Sequence, residues 1–280
     1  MIQRPMPQSE SMPQAPLVLV ERENGWAVVR INRPDKRNAM NRAARRALLA
    51  TLGDLAQEAT RVVVLTGMGE SFCAGVDLKE SRNDAETGTA PEPASDWIEV
   101  CVAIREHPAI FIAAVNGVAM GGGATLINVC DLAVAADCAE IGNPEMGFGA
   151  FAQFSGPATQ YQIAPKHAAW LVLTTERIDG ATAAAWGMVN ECVPAARLEG
   201  RTRELAVRLA GFDGVALTLS KRALDRLPGA ERQWRTAFER GMQVNKNIRE
   251  QSHVQVDGLK RFASGQRNPG QGRAKVGKQS

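Results

Sequence analysis

Histidine, cysteine and tyrosine are scarce in this chain, and each scarcity removes a kind of chemistry. Three histidines and five cysteines are spread over 280 residues. No two cysteines form a Cys-x-x-Cys pair, and only His107, His167 and His253 stand beside them, so a zinc site is not expected. The odd cysteine number argues against a disulfide framework. Cys73, Cys101, Cys130, Cys138 and Cys192 read as small core residues of a reducing compartment. Long apolar runs are also missing: even Ala109 to Met120 is broken by Asn116, well short of the ~18 residues of a membrane span. The N-terminus is rich in Pro, Gln and Ser and lacks the apolar centre of a signal peptide. These absences predict a cytoplasmic chain with no metal and no membrane partner.

An excess of one charge is lacking as well. The net charge is +3, but the tail from Gly265 to Ser280 holds Arg267, Arg273, Lys275 and Lys278 and no acid; +3 less those four charges leaves −1 for the rest. The positive total therefore marks no nucleic-acid-binding face, and no nucleic-acid partner is expected. A hydrophobic content of 45% supplies a sizeable core, and 22% charged residues supply an ordinary polar surface.

What the chain does contain is an alternation of strand and helix signals. Leu17–Val20 and Trp26–Ile31 read as strands around a hairpin turn at Glu23, Asn24 and Gly25. Asn41 to Glu58 carries Ala44, Leu48, Leu52 and Leu55 at the spacing of one buried helical face. Val62–Leu65 is a β-branched run, and Ser81 to Ser95 reads as a mobile loop. Asp96–Glu106 is predicted helical, and Ile110–Val115 and Leu132–Ala136 are predicted strands buried on both faces. A short helix follows Gly121–Gly123. From Pro165 the pattern becomes almost wholly helical, through His167–Thr174, Ala181–Trp186, Ala195–Leu209, Gly214–Leu224 and, with breaks, Glu231–Phe262. The expected organisation is a disordered N-terminus over residues 1–15, an α/β core over 16–194, a helical C-terminal region over 195–264 and a disordered basic tail over 265–280.

Four segments stand out for chemistry: Ile31-Asn32-Arg33-Pro34-Asp35-Lys36-Arg37-Asn38-Ala39-Met40; Val64-Leu65-Thr66-Gly67 with Ser71-Phe72-Cys73-Ala74-Gly75-Val76-Asp77-Leu78-Lys79; Ala114-Val115-Asn116-Gly117-Val118-Ala119-Met120-Gly121-Gly122-Gly123; and Asn143-Pro144-Glu145. From the residues alone, glycines after two predicted strands let the backbone approach a ligand and direct two N–H groups at one oxygen. Each fragment on its own also suits an ordinary tight turn. In this order and spacing, and with the ending Asp257-Gly258-Leu259-Lys260-Arg261-Phe262, the chain resembles the crotonase superfamily, also called the enoyl-CoA hydratase/isomerase family. The resemblance runs from about Leu17 to Phe262. It implies a spiral ββα core, a helical C-terminal trimerisation region, a homotrimer or dimer of trimers, and an acyl-CoA thioester as substrate. Coenzyme A would enter as part of that substrate, with no cofactor bound permanently.

Carried over position by position, the family's oxyanion hole falls on the N–H groups of Val76 and Gly122. Lys36, Arg37 and Lys79 become candidates near the phosphates and adenine of coenzyme A, with Ala39, Ala74 and Asp77 along its path. Lys260 and Phe262 would lie near a neighbouring subunit's coenzyme A. By spacing alone, Asp77 and Glu80 form a capping box at a helix start, and Cys73 packs beside the oxyanion loop.

Glu145 takes the place of one of the hydratases' two catalytic glutamates and is expected in an apolar pocket beside Phe148 or Phe151. The other glutamate position is Thr125 here. Threonine orients a water but serves as neither general acid nor base near neutral pH. One carboxylate suits a 1,3 proton shuttle, and one-glutamate members of the family are typically enoyl-CoA isomerases. Hydroxycinnamoyl-CoA hydratase-lyases also pair one glutamate with a hydroxyl residue at the Thr125 position. They use a tyrosine to hold the substrate phenol, and this chain has only Tyr161, away from that position. A non-catalytic acyl-CoA-binding member of the fold is a further alternative. Phe151 and Phe154 stand in a stretch that is glycine-rich in hydratases, and either reshape the acyl pocket or pack in the core. Other motifs fail: Leu126 breaks a dinucleotide fingerprint, Gln153 breaks a nucleophile elbow around Ser155, and no phosphate-binding GxxxxGK[ST] loop is present.

Overall fold

The computed structural model describes residues 15–77, 79–80, 87, 93–148, 150–230, 247 and 250–252. The N-terminus before residue 15, most of the loop predicted over Ser81 to Ser95, almost all of Glu231–Phe262 and the tail lie outside the described residues, as do Lys260 and Phe262.

The N-terminal hairpin forms as predicted: β1 (Val18–Glu23) pairs antiparallel with β2 (Trp26–Ile31), Glu23 opposite Trp26. Helix α1 (Arg42–Gln57) follows, with the Asn41 side chain accepting from the Ala44 N–H as its N-cap. β3 (Val62–Gly67) then lies parallel to β2. The next strands are β4 (Ser71–Cys73), β5 (Ile110–Val115), β6 (Val118–Met120), β7 (Leu132–Ala136), β8 (Glu140–Gly142), β9 (Ile178–Asp179) and β10 (Glu191–Val193). Helices α2 (Pro93–Glu106), α3 (Gly122–Val129), α4 (Ser155–Gln162), α5 (Pro165–Thr174), α6 (Gly180–Ala185), α7 (Leu198–Ala210) and α8 (Gly214–Ala230) complete the described chain.

The strands form two sheets. The larger runs β1-β2-β3-β5-β7-β10, parallel except for the hairpin, and the smaller runs β4-β6-β8-β9. Three times a strand of the large sheet continues through a short link into a strand of the small one: β3 into β4, β5 into β6 and β7 into β8. This repeated ββ step brings the ends of three chain segments to one place.

Strand alternation explains why the large sheet reads as unbroken apolar runs. Val63, Leu65, Phe111, Ala113, Ala133 and Ala135 face the main core, with Leu48, Leu52 and Leu55 of α1 and Trp97, Val100 and Ile104 of α2. The alternate residues Val62, Val64, Ile112, Ala114, Val134 and Ala136 face Leu198, Ala206 and Ala210 of α7. A sheet covered on both faces has no polar side to show.

Two expectations need correcting. The region after Pro165 is not almost wholly helical, because β9 joins the small sheet and β10 extends the large one beside β7. Strands of two and three residues are too short to show a period. Cys73 and Cys130 are buried, but Cys138 is exposed and is no core residue.

Candidate active site

The first half of the site is made of backbone. Val76 forms an isolated parallel bridge with Met40, in which the Met40 N–H donates to the Gly75 carbonyl and the Asp77 N–H to the Met40 carbonyl. Successive peptide groups in an extended chain point to opposite sides, so the N–H of Val76 faces away from this bridge. Gly122 opens α3, where the first N–H groups of a helix have no partner within it. Gly75 carries these two groups close together. A Cβ on Gly75 would lie 3.1 Å from the Gly122 nitrogen and 2.6 Å from the Met120 carbonyl oxygen, and its φ of +92° is left-handed. No other residue type fits there without moving one of the two loops.

Buried polar side chains fix the Val76 loop. Arg45 is 1% exposed and donates through Nη1 to the same Met40 carbonyl at 2.8 Å. Burial pulls its guanidinium pKa down, partly offset by the charges of Glu80 and Asp96. Asn38, fully buried, donates to the carbonyls of Met68 and Ser71. Asp77 accepts from Arg33 at 2.9 Å. Burial alone would raise its carboxyl pKa, but Arg33 and the Lys79 and Glu80 peptide donors outweigh that and leave it lowered. The predicted capping box is therefore only half formed. The Asp77 N–H goes to Met40, and Glu80 turns instead to the Arg42 N–H at the start of α1. Cys73, also fully buried, has its thiol pushed up to about 12 by burial, which suits packing rather than attack.

The second half of the site is the carboxylate. Glu145 sits on a short 3-10 turn, Pro144–Phe148, directly after β8. Its Oε1 would lie 2.9 Å from a Cβ on Gly121, the residue before the Gly122 N–H. Glu145 is thus brought beside the start of α3. Its Oε1 accepts from Ser155 Oγ at 2.7 Å, while Oε2 is buried and has no hydrogen-bond partner among the described residues. Phe151, expected near the carboxylate or in the core, is instead 63% exposed with its ring edge over Gly156; Phe154 packs against the core. The side chain of Phe148 lies outside the described residues. Thr125 is buried on α3, and its hydroxyl donates to the Gly121 carbonyl at 3.2 Å.

Comparison with known proteins decides the family. The enoyl-CoA hydratase/isomerase profile matches residues 21–269. The chain is 36% identical over 219 residues to the hydroxycinnamoyl-CoA hydratase-lyase of Pseudomonas fluorescens, covering 75% of this chain and 78% of that one. It is 32% identical over 213 residues to the short-chain-enoyl-CoA hydratase of Clostridium acetobutylicum, covering 75% and 81%. The crystal structure of an enoyl-CoA hydratase from Mycobacterium smegmatis superposes with a TM-score of 0.80 at 29% identity, over 90% of this chain and 98% of that one. The chain belongs to the enoyl-CoA hydratase/isomerase family. It is an enzyme of that family and has the crotonase fold.

In this hydratase/isomerase-family enzyme the remaining predicted positions fall on two loops that touch. The Ala74 N–H donates to the Arg37 carbonyl at 2.9 Å, which brings Lys36, Arg37 and Ala39 to the segment of Ala74, Asp77 and Lys79. Lys36, Arg37 and Lys79 are exposed, and among the described residues no carboxylate pairs with them. Tyr161 is 88% exposed on α4. A cavity of about 240 Å³ lies elsewhere, between the large sheet and α7, and none of the predicted site residues lines it. No helix among the described residues is long and apolar enough to cross a membrane.

Sequence reasoning missed Arg45 and Ser155. Arg45 had a signal: it sits next to the apolar stripe of Ala44, Leu48 and Leu52, three residues before Leu48, so helical spacing places it inward. In the sequence Ser155 suggests only a failed nucleophile elbow, and nothing local links it to a glutamate ten positions earlier.

Proposed function

We propose that this enzyme binds an acyl-CoA thioester with its carbonyl oxygen on the N–H groups of Val76 and Gly122, and that Glu145 alone moves the proton. The observation that carries this reading is the meeting of Gly75, Gly121–Gly122 and the Glu145 carboxylate. An α-proton of a thioester is weakly acidic, and two fixed donors lower the cost of the enolate by about 3 kcal/mol each. In an isomerisation, Glu145 takes a proton from C2 of a 3-enoyl thioester, the double bond moves from C3–C4 to C2–C3, and the same carboxylate returns the proton at C4. Thr125, lacking a carboxylate, takes no proton in this scheme. Its hydroxyl would hold a water through a lone pair. Lys36, Arg37 and Lys79 supply positive charge for the phosphates, Ala39 and Ala74 make room for the coenzyme A path, and Asp77 fixes the loop that forms it. Coenzyme A arrives with the substrate and no further cofactor is used.

Glu145→Gln keeps the shape and removes the base, so turnover on a panel of short, medium and long enoyl-CoA thioesters should fall by roughly 10²-fold or more, with thioester affinity little changed. Retained turnover would assign the proton to another residue. Tight thioester binding by the unaltered enzyme, with no turnover of any panel member, would leave only a binding role.

A second reading is favoured by the hydratase-lyase relative and by the Thr125 hydroxyl. Water added across the C=C of an aromatic enoyl-CoA gives a 3-hydroxy thioester, and cleavage of its C2–C3 bond releases an aldehyde and acetyl-CoA. Aldehyde formed from a hydroxycinnamoyl-CoA would select this reading over isomerisation. We also propose a homotrimer or dimer of trimers in the cytoplasm, assembled through the C-terminal helical region and free of nucleic-acid partners. Light scattering that gave a monomer at micromolar concentration would refute the assembly.

A further inference from the structure

We infer that Ser155 is the positioning residue of the Glu145 carboxylate, holding Oε1 so that Oε2 alone exchanges the proton. This rests on the reading of Glu145 as the acid/base. Ser155 is fully buried at the first position of α4, and its hydroxyl reaches Oε1 at 2.7 Å. That length is of a well-formed hydroxyl hydrogen bond. Oε1 is also the oxygen packed over Gly121, whereas Oε2 is buried without a partner among the described residues. The two oxygens of one carboxylate are thus made unequal by their surroundings. One is held, and the other is left for chemistry.

The rest of α4 supports the same role. One turn after Ser155, the buried Thr159 accepts from Asn143 Nδ2 at 3.3 Å and from Asn128 Nδ2 at 3.1 Å. Asn143 lies two residues before Glu145, and Asn128 lies on α3, three residues after Thr125. A single face of α4 therefore fastens the turn that carries Glu145 at its backbone end, through Asn143, and at its carboxylate end, through Ser155. It also fastens that turn to α3, the helix whose first N–H belongs to Gly122. The base and the oxyanion donors are held in one frame.

A double-mutant cycle tests this. Ser155→Ala removes the hydroxyl with a residue that favours helix, and Ser155→Cys keeps nearly the same shape with a much weaker donor. Both should lower kcat by about ten-fold with KM within about two-fold, and both should leave the melting temperature close to that of the parent enzyme. In the Glu145→Gln background, Ser155→Ala should have almost no further effect, because its action passes through the carboxylate. A merely structural serine would give the same fractional loss in both backgrounds. Crystal structures of the parent enzyme and Ser155→Ala provide a readout that needs no substrate: the Glu145 side chain should hold one rotamer in the first and spread over more than one in the second. Unchanged kcat in Ser155→Ala, equal losses in the two backgrounds, or an unmoved Glu145 would overturn the inference. Full turnover in Glu145→Gln alone would instead overturn the acid/base reading on which it rests.

Discussion

Gly75→Ala is the sharpest single perturbation of the proposed thioester site. The added methyl would sit 2.6 Å from the Met120 carbonyl oxygen and 3.1 Å from the Gly122 nitrogen, on a backbone with φ of +92°. A left-handed conformation costs a side-chain-bearing residue roughly 1–2 kcal/mol, and forcing a methyl into a packed site costs about 1–3 kcal/mol more. The total, roughly 2–5 kcal/mol, corresponds to a melting temperature lower by roughly 5–15 °C for a chain of this size. Relief of the contact can come only from separating the Val76 and Gly122 loops. If one donor is displaced, about 3 kcal/mol of transition-state stabilisation goes with it, so kcat should fall by roughly 10²-fold. Turnover of the thioester that gives the highest rate, measured well below the variant's melting temperature, separates this from simple unfolding. Gly53→Ala is the control: it lies inside α1 with nothing within 4 Å of an added Cβ. That variant should gain about 0.5–1 kcal/mol and keep full activity. A Gly75→Ala enzyme with parental kcat would refute the argument that these loops present the donors.

Two further predictions concern the frame around the site. Lys221 on α8 is 4% exposed, donates to the carbonyls of Ile104 and Ala109 and pairs with Asp131 at 2.9 Å. Lys221→Met should cost about 3 kcal/mol, at the lower end for a broken buried pair because Asp131 keeps Arg105 and the Phe111 N–H; a loss below about 1 kcal/mol in urea unfolding would show that the pair adds little. His107 accepts the Ala109 N–H on Nδ1 and faces the Leu52 carbonyl with Nε2, an arrangement that only the neutral ring satisfies. Burial lowers its pKa from the usual 6.5, the Leu52 carbonyl opposing. Its contribution to stability is therefore complete above pH 6.5 and is lost as pH falls through the lower folded-state value. An NMR titration in which His107 charges at or above 6.5 would contradict this.

The large sheet was legible because its strands are covered on both sides, so Ile110–Val115 and Leu132–Ala136 show as plain apolar runs. The small sheet was not. β4, β6 and β8 have three residues each and β9 two, and they are recognisable only as continuations of longer strands. Gly75 and Gly121–Gly122 could be named from the residues because close backbone approach demands glycine, whereas Glu145 could be named only through the family resemblance. Ser155 could not, because a hydroxyl that serves another side chain leaves no trace in spacing. Asp77 illustrates the intermediate case. Its capping role follows from local sequence, while its pairing with Arg33, 44 positions away, depends on the two loops being folded together.

The two halves of this site differ in what mutation can reach. The groups proposed to receive the thioester oxygen are peptide N–H groups, and almost any substitution at Val76 leaves its N–H in place. The proposed proton handling, by contrast, rests on the side chains of Glu145 and Ser155, and a single substitution at either changes the chemistry. A scaffold divided in this way keeps its capacity to activate a thioester while the fate of the activated carbon drifts. Diversification of reaction type then requires changes on the ridge formed by α3, the Glu145 turn and α4, and none in the loops that grip the common handle.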